Sequence, residues 1–143
     1  MPLRFASVLI VSALVLAACS SPKPDAPKLT ELQRAKSGDI DVVLLAKADA
    51  LPEGKGQATL EFQTGSDHHL VDVGTVKIGA TMPMPGFSPM LGSVFVNKGD
   101  APGRYTLDTD LAMTGTWTMK VEWDGPAGQG SATFPGTVRS MDK

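Results

Sequence analysis

Trp117-Thr118-Met119-Lys120-Val121-Glu122-Trp123 is the stretch that decides the fold. Large apolar residues stand at 117, 119, 121 and 123, and polar ones stand between them. Successive side chains of an extended chain point to opposite faces, so strict alternation describes a strand with one buried and one wetted face. Two tryptophans and a methionine on one face would fill much of a core.

The same period recurs outward from this strand. Upstream, Ala58, Leu60 and Phe62 alternate with Gln57, Thr59, Glu61 and Gln63; Ile40, Val42 and Leu44 form one row, opposite Asp39, Asp41 and Val43; Val76, Ile78 and Ala80 form another. Val71 and Val73 lead to Gly74, which reads as a bulge, and Gly92–Val96 is apolar enough for a buried strand. Tyr105 and Leu107 open one more. Downstream, Ala132 and Phe134 form a last strand, and Pro135 places its end there or at an edge. Turn clusters such as Leu51-Pro-Glu-Gly-Lys-Gly and Asp124-Gly-Pro-Ala-Gly-Gln-Gly separate these segments. About seven strands over roughly a hundred residues predict an all-β fold, an immunoglobulin-like antiparallel β-sandwich. Asp100-Ala-Pro-Gly-Arg-Tyr105 admits two readings. Tyr105 is either an ordinary strand residue or the tyrosine corner of such folds, its hydroxyl bonding to upstream backbone.

At 143 residues the chain suits one domain. A net charge of −2 without a basic patch excludes nucleic acid as a natural partner. No Gly-rich phosphate loop, no Cys/His ligand cluster and no nucleophile–base constellation stands out, so an enzyme is not expected.

The N-terminus predicts location. Arg4 precedes an apolar run, Phe5–Leu16, too short to cross a bilayer as a helix. Leu16-Ala17-Ala18-Cys19 follows and resembles the lipobox of bacterial lipoproteins, in which a peptidase cuts before a Cys whose thiol carries diacylglycerol. Cys19 is the only cysteine, and a lone thiol is awkward in an oxidising compartment unless it is modified. The expected organisation is a signal peptide over 1–18, a lipidated tether over 19–37 and the β domain over 38–139. The acyl chains on Cys19 would hold the protein at a membrane of the cell envelope, the outer membrane facing the periplasm in a Gram-negative cell. Within the tether, Ser20–Lys28 is proline-rich and extended, while Thr30–Lys36 predicts one or two helical turns, capped by Thr30 and stopped by Gly38.

The chemistry concentrates in Gly79-Ala-Thr-Met82-Pro-Met84-Pro-Gly-Phe87-Ser-Pro-Met90-Leu-Gly92 and in a second loop carrying Met113. Thioethers are soft, neutral ligands suited to Cu(I), and each proline biases the residue before it toward extended backbone. Met82, Met84, Met90 and Met113 are therefore candidate metal ligands. The competing reading makes the loop methionines packing, with Met82 continuing the Val76–Ile78–Ala80 row and Phe87 and Leu91 helping to plug one end of the core. Met119 is read as core, and the adjacent His68 and His69 as surface turn residues.

Met82-Pro-Met84 with Met90, Pro102-Gly-Arg-Tyr105 and Met113-Thr-Gly115-Thr-Trp117 together resemble the YtkA-like domain family, met also in FixH-like proteins. The resemblance spans about residues 39 to 136. It implies a small envelope domain with an immunoglobulin-like sandwich, associated with copper handling, efflux or oxidase assembly. Many members carry a His in the methionine loop; this sequence has Phe87 and Ser88 there, which limits copper binding to a thioether-only Cu(I) site. Two functions follow. The first is a lipid-anchored envelope binding domain that takes Cu(I) through its methionine loop. The second is a metal-free interaction module for another envelope protein. Tyr105, Trp117 and Trp123 are the expected structural residues.

Overall fold

The computed structural model describes residues 28–141, and these are all-β. Nine strands follow in chain order: β1 (Thr30–Ser37), β2 (Ile40–Ala46), β3 (Leu51–Pro52), β4 (Gly54–Thr64), β5 (Thr75–Met82), β6 (Met90–Lys98), β7 (Arg104–Leu111), β8 (Gly115–Gly125) and β9 (Gly128–Arg139). Cys19, the signal peptide expected over 1–18 and the first nine residues of the expected tether, 19–27, lie outside the described residues.

The strands form one sheet in the order β1-β2-β4-β7-β6-β5-β8-β9-β3. The sequence reading pictured two facing sheets; the ladders instead run unbroken, because β6 serves both halves. Its first residues pair with β5 (Met82↔Met90, Ala80↔Gly92), and the rest pair with β7 (Ser93↔Asp110 through Lys98↔Tyr105). A long twisted sheet cannot stay flat and bury one face. It curls until β1 comes against β9, and its concave face closes on itself. Phe62 of one half meets Trp123 of the other edge to face, ring centroids 5.1 Å apart and planes inclined by 69°.

β8 keeps the alternation that announced it. Trp117, Met119 and Val121 are fully buried and Trp123 almost so, while Lys120 and Glu122 are exposed. Gly130, opposite Trp123 on β9, leaves room for the indole; any side chain there would collide with the ring. β9 runs on through Pro135 to Arg139 rather than ending there. Pro135 pairs with Thr118 on one side, and β3 joins the other side only at Val138 and Arg139, so the proline sits where its missing N–H costs no ladder bond.

Thr30–Lys36 is strand, not helix. An isolated helix of two turns is marginal in water, whereas the open edge of β2 offers a ladder and burial for Leu32 and Ala35 against the core. Gly38, with φ 59°, closes the two-residue β1–β2 turn. Gly92–Val96 is not a buried strand: Leu91, Ser93 and Phe95 face outward, and Phe95 is 68% exposed. Gly74 is no bulge but lies in the loop before β5, with φ 75°. Val43, on the outer face of β2, is nevertheless buried. Arg34, Asp41, Gln63, Glu61 and Arg104 bond across that face and roof it.

Candidate functional site

The antiparallel ladders sort the strand ends into two groups. At one end stand Thr30, Ala46, Gly54, Leu111, Met90, Met82, Gly115 and Arg139; at the other stand Ser37, Ile40, Thr64, Arg104, Lys98, Thr75, Gly125 and Gly128. All four candidate methionines lie at the first end.

Met82 ends β5 and Met90 begins β6, and the two are direct cross-strand partners. Directly opposed residues hold their Cβ atoms about 5 Å apart, within mutual reach of two flexible thioethers. Both are half-buried and pack against the edge of the core. Between them Pro83–Pro89 makes the hairpin tip, where the Phe87 N–H donates to the Met84 carbonyl at 2.9 Å. Met84 itself lies beyond the ladder, half-buried.

The second loop, between β7 and β8, arrives beside the first. The Met82 methyl group occupies the space where a Cβ on Gly115 would stand, and Gly115 has φ 130°, a conformation that other residues avoid. Met113 is two residues away and 41% exposed. Its carbonyl accepts the Trp117 indole N–H at 3.0 Å, which fixes the loop to the core. Leu111 and Trp117, flanking the loop, press on Gly92 at the hairpin's base. The fold thus brings Met82, Met90 and the Met113 loop together, with Met84 at the margin. Gly115, which makes the close approach, escaped the reading as a site residue; its signal was a glycine between two threonines just before the tryptophan strand.

Phe87 and Leu91 do not plug the core. They are 81% and 77% exposed, the least covered large apolar side chains of the described residues. Leu91 is adjacent to inward Met90, so β6 alternation sends it out.

Tyr105 stands at the opposite end. It is buried at the start of β7 and donates its hydroxyl to the Gly74 carbonyl at 2.7 Å, thirty-one residues upstream. The bond to upstream backbone is present, but it reaches from β7 to the β4–β5 loop instead of closing a local corner. Burial pushes the Tyr105 hydroxyl above the usual phenol range, with Asp72 adding to the effect. Beside it Arg104 bonds Glu61 at 2.8 Å and Asp100 at 2.9 Å, which holds the Asp100 carboxyl below the ordinary carboxylate range. His68 and His69 are exposed in the β4–β5 loop, as read. Among the described residues no group of three or more His, Cys, Asp or Glu could hold a metal ion, so a soft-ligand site would rest on the thioethers.

The YtkA-like family model matches residues 34–122, well over half of the chain. The chain belongs to the YtkA-like family. The match covers β2–β7, half of β1, most of β8 and both loops of the methionine end. No curated protein and no solved structure matches the chain.

Proposed function

We propose that this YtkA-like domain is a lipid-anchored envelope binding domain, not an enzyme, and that its methionine end binds Cu(I). The observation that carries the reading is the in-register pair Met82↔Met90 with the Met82 methyl lodged on Gly115 beside the Met113 loop. Two strands and a separate loop, distant in sequence, meet at one end of the sheet, and each carries a methionine. The donors are half-buried or exposed, so an ion can reach them. Met82, Met90 and Met113 would hold the ion, with Met84 in reserve at the tip; a thioether set favours Cu(I) over harder ions and needs no deprotonation. The role would be metal handling or oxidase assembly at a membrane to which acylated Cys19 ties the chain.

A second reading keeps the anchor and removes the metal. It is favoured by exposed Phe87 and Leu91, which would serve an interaction module for another envelope protein.

A competition titration against a Cu(I) chelator separates the two. The wild-type chain is expected to bind one Cu(I), and the Met82→Leu, Met90→Leu double variant to fold normally but bind at least tenfold more weakly, since Leu keeps the volume and removes the sulfur. Equal affinity in both, or none in the wild type, would leave the metal-free module. Anchoring is checked separately: incorporation of labelled fatty acid is expected in the wild type and not in Cys19→Ala.

A further inference from the structure

We infer that the tip of the β5–β6 hairpin seats in the lipid interface of the bilayer that anchors the chain, with Phe87 and Leu91 as the inserted side chains. The inference rests on the anchor reading and adds an orientation to it. The methionine end would face the membrane.

Four observations carry it. The first is charge. The twenty residues from Ile78 to Asn97, which make most of β5, the tip and nearly all of β6, contain no ionisable side chain. The neighbouring loop is also uncharged from Leu111 to Met119. Moving such a segment against acyl chains desolvates no charge.

The second is backbone chemistry. A loop entering an apolar medium suffers mainly from unpaired N–H groups. Pro83, Pro85 and Pro89 have none, and the Phe87 N–H is already bonded to the Met84 carbonyl. Four of the seven tip residues therefore present no free N–H, which leaves Met84, Gly86 and Ser88 to find partners in the headgroup layer.

The third is side-chain placement. Phe87 and Leu91 project outward, while Met82 and Met90 face the core edge. Membrane contact and thioether ligation therefore use different side chains of one hairpin. Asp110, exposed opposite Ser93, and Asp108, opposite Phe95, mark how deep the hairpin can go, because both must stay in water. Phe95 remains above the interface.

The fourth is where the chain enters. Thr30 begins β1 at the same end of the sheet as the hairpin. Only ten residues, Ser20–Leu29, separate it from Cys19. Fully extended they span about 33 Å, so a lipid on Cys19 keeps this end of the domain close to the bilayer. A small apolar tip adds weak affinity alone and becomes effective next to a lipid anchor.

The test uses the full chain with one added thiol carrying an environment-sensitive fluorophore, at Ser88→Cys on the tip or at Ser66→Cys in the opposite-end loop. Mass spectrometry first reports whether Cys19 is acylated. The chains are then placed with vesicles of phosphatidylethanolamine and phosphatidylglycerol. The expected result is a blue shift and quenching by acyl-chain spin labels for Ser88→Cys over and above Ser66→Cys. That difference should be lost when Phe87→Ser and Leu91→Ser are added. A Ser88→Cys signal as water-exposed as Ser66→Cys on an acylated, vesicle-bound chain overturns the inference and leaves the anchor standing. A shift seen only when native membrane proteins are present overturns it in favour of a protein partner. A free Cys19 overturns the anchor reading alone; any residual label there is common to both chains, and their difference still decides whether the tip inserts.

Discussion

The Tyr105 end of the curled sheet and the β5–β8 side of its methionine end are built from opposite materials; among the described residues of the methionine end, only the far side carries an ion pair, Arg139 to Asp49 at 2.8 Å. At the Tyr105 end the chain is tied by polar bonds: the Tyr105 hydroxyl to Gly74, Arg104 to Glu61 and Asp100, and Arg34 to Asp41 across the outer face. At the methionine end the β5–β6 and β7–β8 connections are uncharged, proline-rich or glycine-hinged, and leave Phe87 and Leu91 uncovered. The polar bonds demand definite geometry. Thioethers and an apolar tip accept several geometries, which suits an end that must receive something. The difference teaches that the polar ties of this molecule and its receptive loops are kept apart, joined by the tryptophan strand that runs the length between them.

The comparison can be broken most severely through that strand. Trp123→Ala removes an indole that packs on Phe62 and Gly130, in a core with no disulfide. We expect a loss of about 3–5 kcal/mol, measured as a lower midpoint in chemical denaturation with an unchanged slope. If the substitution proved neutral, the two halves of the sheet would not be held by this contact.

Gly115→Ala tests the receptive end. The new Cβ must displace the Met82 methyl, and the backbone angle of 130° is one that residues with side chains rarely adopt. The displaced atom ends a flexible side chain, so most of the expected cost, about 1–3 kcal/mol, is backbone strain. Cu(I) affinity should fall in the same variant. A fall in stability with affinity intact would detach the Met113 loop from the ligand set.

Tyr105→Phe tests the tied end with a smaller effect, about 1–2 kcal/mol, since the Gly74 carbonyl loses its donor. The pH dependence has a defined sign. Burial raises the folded hydroxyl above its unfolded value, so its contribution is complete below the phenol range and is lost as pH rises through the raised value. The wild type should therefore lose stability on the alkaline side, and Tyr105→Phe should lack that loss. Tyr105 is the only tyrosine in the sequence, so tyrosinate absorbance reports it alone. Ionisation in the folded state at the pH of a free phenol would contradict the buried bond.

Much of this was legible in the residues. β8 could be read face by face, because every second residue is large and apolar and the sheet buries just that row. β2, β4 and β5 were legible for the same reason. β1 was not: Thr30–Ser37 has no clean period, and its register shifts between Glu31 and Gln33. Its strand state comes from the edge of β2, which is information from elsewhere in the chain. β6 was misjudged in burial because an uncharged run looks the same whether one face or both are covered. Of the site, the methionines were visible as residue types in one loop. Their pairing was not, since it depends on where the β5–β6 ladder begins.

By itself the sequence determined the all-β class, the residues of the tryptophan face, the family and the concentration of thioethers in two loops. These follow from local properties: alternation, turn residues and residue chemistry. Only the tertiary structure decided that the sheet is continuous through β6, that Met82 faces Met90 while its methyl rests on Gly115, and that Leu91 and Phe95 turn outward. A one-residue change of register exchanges the two faces of a strand, and register is set by partners that no local stretch contains.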